Sequence, residues 1–248
     1  MTEIFWWVIF PYLAGAIMIL GLLYRYAFRQ MTWVAPSTEL FEKKWLKIGS
    51  PLFHYGIIFA VIGHIMGMVI PIEWYHAMGV DDHLYHIGAI YGGGLAGLMV
   101  VVGLILLLLR KIVVEPVRIK TKFSDYFTVG AVLFVAFTGT WMTIVYNTTV
   151  IAYEYRTTIG PWFRSLFVFQ PEYTLMENVP FIFKLHVASA FALFAAIPFT
   201  SLIHIFSFPA RYPARAPQQY RSRVNYRKDT AWEEEKKLYH PSSDKHVE

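Results

Sequence analysis

Five apolar stretches, each long enough to cross a bilayer, leave this chain few ways to fold. A spanning helix needs roughly 20 mostly apolar residues, and inside hydrocarbon the backbone is satisfied only by helices or a closed barrel. The stretches run from about Ile4 to Tyr24, Pro51 to Ile72, Leu84 to Leu109, Ser124 to Tyr146 and Val179 to Ser207. Together they predict an all-α, polytopic membrane protein built as a bundle of five transmembrane helices. Composition agrees: of 248 residues, 56% are hydrophobic and 16% charged, where ordinary soluble domains carry roughly 25% charged residues. Aromatic residues reach 18%, enough for the belts that mark the two interfaces of a bilayer. No basic segment precedes the first stretch, so it is expected to remain as a span and not to be removed as a signal.

The basic residues set the orientation. Arg25, Arg29, Lys43, Lys44 and Lys47 follow the first stretch, Arg110, Lys111, Arg118, Lys120 and Lys122 the third, and Arg211, Arg215, Arg221, Arg223 and Arg227 the fifth. The segment between the second and third carries Glu73, Asp81 and Asp82 and no Lys or Arg. Lys- and Arg-rich loops stay in the cytoplasm, which puts the N-terminus outside and the C-terminus in the cytoplasm. The net charge of +5 therefore reads as membrane topology and not as a nucleic-acid footprint. Residues 1–210 are expected to form the membrane domain. Residues 211–248, polar and opened by Pro213 and Pro217, are expected to be an extended cytoplasmic tail. The long loop between spans four and five holds an aromatic segment, Gly160 to Gln170, expected as a short interfacial helix.

The chain has no cysteine, which excludes thiolate-held iron–sulfur clusters, thioether-attached haem and internal disulfides. Histidine is different. His54 and His64 lie in the second stretch, and His186 and His204 in the fifth. An ionisable side chain inside hydrocarbon is costly and marks function by default, and neutral imidazole ligates haem iron without burying net charge.

Depth pairs these residues. At 1.5 Å of rise per residue, His54 and His204 each lie roughly 5 Å from the cytoplasmic end of their spans, and His64 and His186 roughly 20 Å from it. Two antiparallel helices would present two facing pairs, each able to clamp a haem iron from both sides. The 18-residue spacing of His186 and His204 is five helical turns, one face; the ten-residue spacing of His54 and His64 leaves them about 80° apart. A kink at Pro198 is expected to absorb part of the mismatch. A lone histidine in a span also serves as a hydrogen bond to a neighbouring helix, but four that pair by depth are less simply explained so. Gly56, Gly63 and Gly67 beside the first two, and Ala188, Ser189, Ala190 and Ala192 after His186, fit close approach of a cofactor or of a helix.

At these residues the sequence resembles a known family. SPLFHYGIIFAVIGHIMGM (Ser50 to Met68) and FIFKLHVASAFALFAAIPFTSLIHIFSFP (Phe181 to Pro209) resemble the two haem-ligand helices of the gamma subunit of membrane-bound respiratory nitrate reductase. PYLAGA near the N-terminus and GGGLAG in the third stretch also fit, so the resemblance covers about residues 4 to 210. It implies a cytochrome b with two b-type haems in the cytoplasmic membrane of a prokaryote. Quinol would be oxidised near the outer face. Electrons would pass inward to a cytoplasmic iron–sulfur (beta) subunit joined to a molybdenum-containing catalytic (alpha) subunit. His54 and His204 would hold the inner haem iron, His64 and His186 the outer. The tail beyond about Tyr212 looks longer than the family pattern.

The quinol site in such proteins lies beside the outer haem. His83, Tyr85 and His86, near the start of the third stretch, and Gly63 are the candidates here; the same residues also read as ordinary interfacial ones. Arg110, Lys111 and Lys184 are candidate cations for haem propionates. Two other classes stay open: a dihaem anchor of a different quinone-linked reductase, and a haem-free transporter using the histidines as a proton relay. With no large soluble domain, the chain alone is not expected to reduce nitrate.

Overall fold

A computed structural model of the chain describes residues 2–29, 32–33, 38–149 and 153–207. The apolar stretches form five long helices, Thr2–Phe28, Lys44–Val69, Asp82–Val113, Phe123–Tyr146 and Phe181–Phe199. There is no strand among the described residues. The expected tail, 211–248, lies outside them. Helix starts follow local chemistry. The Asp81 carboxylate accepts from the Leu84 amide at 2.7 Å, capping the third long helix, and Asp125 accepts from the Lys122 amide at 3.0 Å at the start of the fourth.

The long helices approach closely where glycine allows. A side chain at Gly103 would place its Cβ 2.6 Å from the Phe53 amide nitrogen and 2.9 Å from the Gly49 carbonyl. The second and third long helices therefore touch backbone to backbone. Elsewhere large apolar side chains face outward, Leu20 at 65% and Leu23 at 59% exposure among them. That is how a helix meets lipid and not how it meets water.

The first four long helices each carry a π-helical turn at the same end of the bundle: Phe5–Ile9, Ile65–Val69, Ala89–Gly93 and Met142–Tyr146. Such turns are uncommon and disturb the regular carbonyl ladder. Side chains supply donors there. Trp162 Nε1 donates to the Trp7 carbonyl at 2.9 Å, Tyr75 to Met66 at 2.8 Å and Arg164 to Met68 at 3.0 Å. Two of these donors belong to a short helix, Ile159–Phe167, inside the aromatic segment expected to lie in the interface. It is helical, but one face packs on protein. Trp162 is fully buried with Trp7, Met142, Met176 and Phe183.

The fifth stretch does not form one continuous helix. Its α-helix ends at Ala196, a 3-10 turn covers Ile197–Phe199, Thr200 is extended (φ −121°, ψ 175°), and a second 3-10 segment runs over Ser201–Phe206. Pro198 has no amide hydrogen to continue the ladder. The expectation that His186 and His204 share a helical face over five turns is thereby corrected. The expected kink at Pro198 is a full break.

Candidate functional site

The structure brings the four in-span histidines together in the two combinations that depth predicts. The rings of His54 and His204 have centroids 6.4 Å apart and planes at 58°. Those of His64 and His186 stand 6.1 Å apart at 24°. These separations exceed ring-on-ring contact. They fit one metal between two imidazoles: a metal–nitrogen bond of about 2.0 Å plus about 1.1 Å from nitrogen to ring centre, taken twice, gives about 6.2 Å.

Each ring is held through Nδ1. That of His54 meets the Ser50 carbonyl at 2.7 Å, that of His64 the Ala60 carbonyl at 2.6 Å, and that of His204 the Ser201 carbonyl at 2.6 Å. In a helix these carbonyls lie one turn before the side chain, so the anchor is built into the local geometry. His186 differs: its Nδ1 meets the Thr138 hydroxyl at 3.0 Å. That hydroxyl donates to the Val135 carbonyl at 2.9 Å, which leaves its lone pair for the imidazole. A carbonyl partner fixes the proton on Nδ1 and presents the Nε2 lone pair, the arrangement a metal-ligating imidazole needs. Gly139 makes room for His186: a Cβ there would lie 2.9 Å from the ring's Cε1.

No group of three or more His, Cys, Asp or Glu among the described residues could hold a bare metal ion. Two imidazoles per site suit a metal whose remaining ligands arrive with a macrocycle. The residues present thus fit haem.

Near the His64–His186 pair lies a polar cluster. Beside His64, the Cβ position of Gly63 has no neighbour within 4 Å, an open flank. Tyr85 is buried, with its hydroxyl 3.3 Å from that of Tyr155, and both hydroxyls lie against Gly67. The guanidinium of Arg156 sits 3.9 Å above the Tyr85 ring. It is buried and pairs with Glu154 at 2.7 Å and Asp82 at 2.8 Å. The outer arms of this cluster are histidines, His86 on Glu154 and His76 on Asp82, both at 3.1 Å. His83 is exposed. Burial would raise the Glu154 carboxyl, but the hydrogen bond and charge of Arg156 outweigh it and hold the group below its ordinary range. The Glu154 hydrogen bond in turn raises Arg156.

Glu154, Tyr155 and Arg156 are absent from the sequence-derived candidates. The available signal was a Glu-Tyr-Arg triplet in a loop with few charges; its partner Asp82 lies 74 residues away. The three propionate candidates are placed differently from one another. Arg110 is buried and spends its donors on Glu42 and Thr38. Lys184 donates to the Glu177 carbonyl at 3.0 Å, and Lys111 is half-buried.

Comparison with known proteins shows which family the chain resembles. Residues 3–223 match the family model described as nitrate reductase gamma subunit. The chain is 41% identical to the nitrate reductase gamma chain of Bacillus subtilis (strain 168), covering 88% of this chain and 97% of that one. It is 31% identical to the respiratory nitrate reductase 1 gamma chain of Escherichia coli (strain K12), over 89% of this chain and 98% of that one. A nitrate reductase-like protein of Mycobacterium tuberculosis (strain ATCC 25618 / H37Rv) is 38% identical over 90% of this chain, which spans 34% of that longer protein.

Proposed function

The chain belongs to the nitrate reductase gamma subunit family, and from that premise we propose that it is the dihaem, quinol-oxidising membrane subunit of a nitrate reductase complex. The observation that carries this reading is the two pairs of imidazoles, with ring centroids 6.1 and 6.4 Å apart and every Nδ1 anchored. His64 and His186 would hold the outer b haem, His54 and His204 the inner one. What haem supplies when bound is one-electron carriage between two depths of the membrane. Topology follows the basic loops, with the N-terminus outside and the C-terminus in the cytoplasm of a prokaryote's cytoplasmic membrane. The His54–His204 end would then be the exit for electrons toward a cytoplasmic iron–sulfur subunit and its molybdenum-containing partner.

Quinol gives up two protons with its two electrons, so the outer site needs a base. His86 suits that task. Its Nε2 meets Glu154, so a proton taken at Nδ1 creates an imidazolium already facing a carboxylate. The open flank at Gly63 leaves room beside His64 for the ring, and Tyr85 and His83 share the helix that carries His86. Arg156 holds Glu154 ionised for this role.

The test uses the complete complex with its partner subunits. A reduced short-chain quinol should reduce two b haems per gamma chain, and nitrate should reoxidise both. A complex with no b haem, or with haem that quinol does not reduce, would overturn the reading.

A further inference from the structure

The break in the fifth helix is buried, and its freed carbonyls need donors. Ile197, Pro198, Thr200, Leu202 and Ile203 are all buried. A carbonyl stranded at such a place is costly unless a neighbour bonds it. The neighbour is the first long helix. Arg25 Nη1 donates to the Pro198 carbonyl at 2.8 Å and reaches the Thr200 carbonyl at 3.4 Å. One turn earlier, on the same face, Gly21 receives the proline ring. A Cβ there would lie 2.6 Å from Pro198 Cβ and 2.7 Å from its Cγ, which no packing tolerates.

The consequence runs to the candidate ligand within a few residues. Thr200 turns extended, and its hydroxyl caps the second 3-10 segment by accepting from the Leu202 amide at 3.4 Å. The Ser201 carbonyl then fixes His204 Nδ1 at 2.6 Å. His186, on the regular part of the helix, does not depend on this turn.

We propose that Gly21 and Arg25 are positioning residues for the His54–His204 haem: a glycine seat and a guanidinium clamp that hold the Pro198 break at which His204 turns toward His54. This rests on the haem reading above. Neither residue touches the ligand rings; both act through the backbone of the break.

The experiment is a redox titration with optical and electron paramagnetic resonance detection on the complex. The signal missing in His204→Ala identifies the haem in question, and the other haem reports whether the chain is folded. Gly21→Ala changes no charge. It should shift the g values and midpoint potential of the His54–His204 haem, or abolish that signal, and leave the other haem as it was. Arg25→Met should do the same, and Arg25→Lys, which keeps a cationic donor, should return both quantities toward those of the parent. The proposal is overturned if Gly21→Ala and Arg25→Met leave that haem unchanged, or if they disturb both haems equally. Failure of the haem reading itself looks different: the parent complex would then lack b haem, or His204→Ala would remove none.

Discussion

His64 and His186 face each other with ring planes 24° from parallel, whereas the planes of His54 and His204 cross at 58°. Near-parallel axial imidazoles reinforce a single π-donor direction at a low-spin ferric ion and separate its d orbitals. Crossed rings leave two of those orbitals close in energy and push the largest g value upward. We therefore expect two distinct low-spin signals by electron paramagnetic resonance at low temperature. The one lost in His204→Ala should have the larger low-field g. The opposite order would mean that the ring angles of the ligated protein are not these.

The Arg156 cluster makes the loop at residues 153–157 sensitive to acid. Glu154 has its carboxyl held below the ordinary range, so its contribution to stability is complete above the unfolded value of about 4.3. It is lost as pH falls through the lower folded value. Melting temperatures of the parent and Glu154→Gln should differ by a constant amount near neutral pH and converge below about pH 4.3. In the same variant, quinol oxidation should slow at neutral pH with haem content intact, because His86 loses the carboxylate that its Nε2 bonds. A normal rate with unchanged pH dependence would remove His86 from the proton path.

Arg110 spends its guanidinium on the segment that joins the first two long helices. It bonds Glu42 and Thr38 through four contacts of 2.7–2.9 Å. Replacing it with Met leaves Glu42 and two carbonyls without their donor and should destabilise the chain by about 3 kcal/mol. Denaturation in detergent, followed by circular dichroism, measures this. A loss below about 0.5 kcal/mol would place the pair among weak surface bridges.

Trp162 ties the short Ile159–Phe167 helix to the first long helix through its bond to the Trp7 carbonyl and an edge contact at 5.7 Å. Truncation to Ala should cost about 3 kcal/mol and raise hydrogen exchange over residues 159–167 before the long helices respond. Uniform exchange across the chain would show that this helix is not a separate unit of stability.

The five helices were legible because a 20-residue apolar run has one outcome in a bilayer. The histidine pairing was legible because rise per residue converts position into depth, and depth does not depend on rotation about the axis. Rotation was another matter. Helical phase gave His186 and His204 a common face only on the assumption of unbroken α pitch, which Pro198 and Thr200 end. Arg25 reads locally as one more basic residue at the end of a span, yet it bonds a carbonyl 173 positions away. Arg156 reads as a loop cation, and its burial is visible only once Asp82 and Tyr85 are beside it. Hydropathy and spacing are local quantities. Clamps and buried ion pairs join residues far apart in the chain, and nothing in one sequence marks their partners.

The central claim is the assignment of four histidines to two haems. Its most direct test is the reduced-minus-oxidised spectrum and redox titration of four single variants, His54→Ala, His64→Ala, His186→Ala and His204→Ala, with haem counted per chain. The account predicts that His54→Ala and His204→Ala lose one and the same component, and that His64→Ala and His186→Ala lose the other. Loss of a common component in His54→Ala and His64→Ala would contradict it.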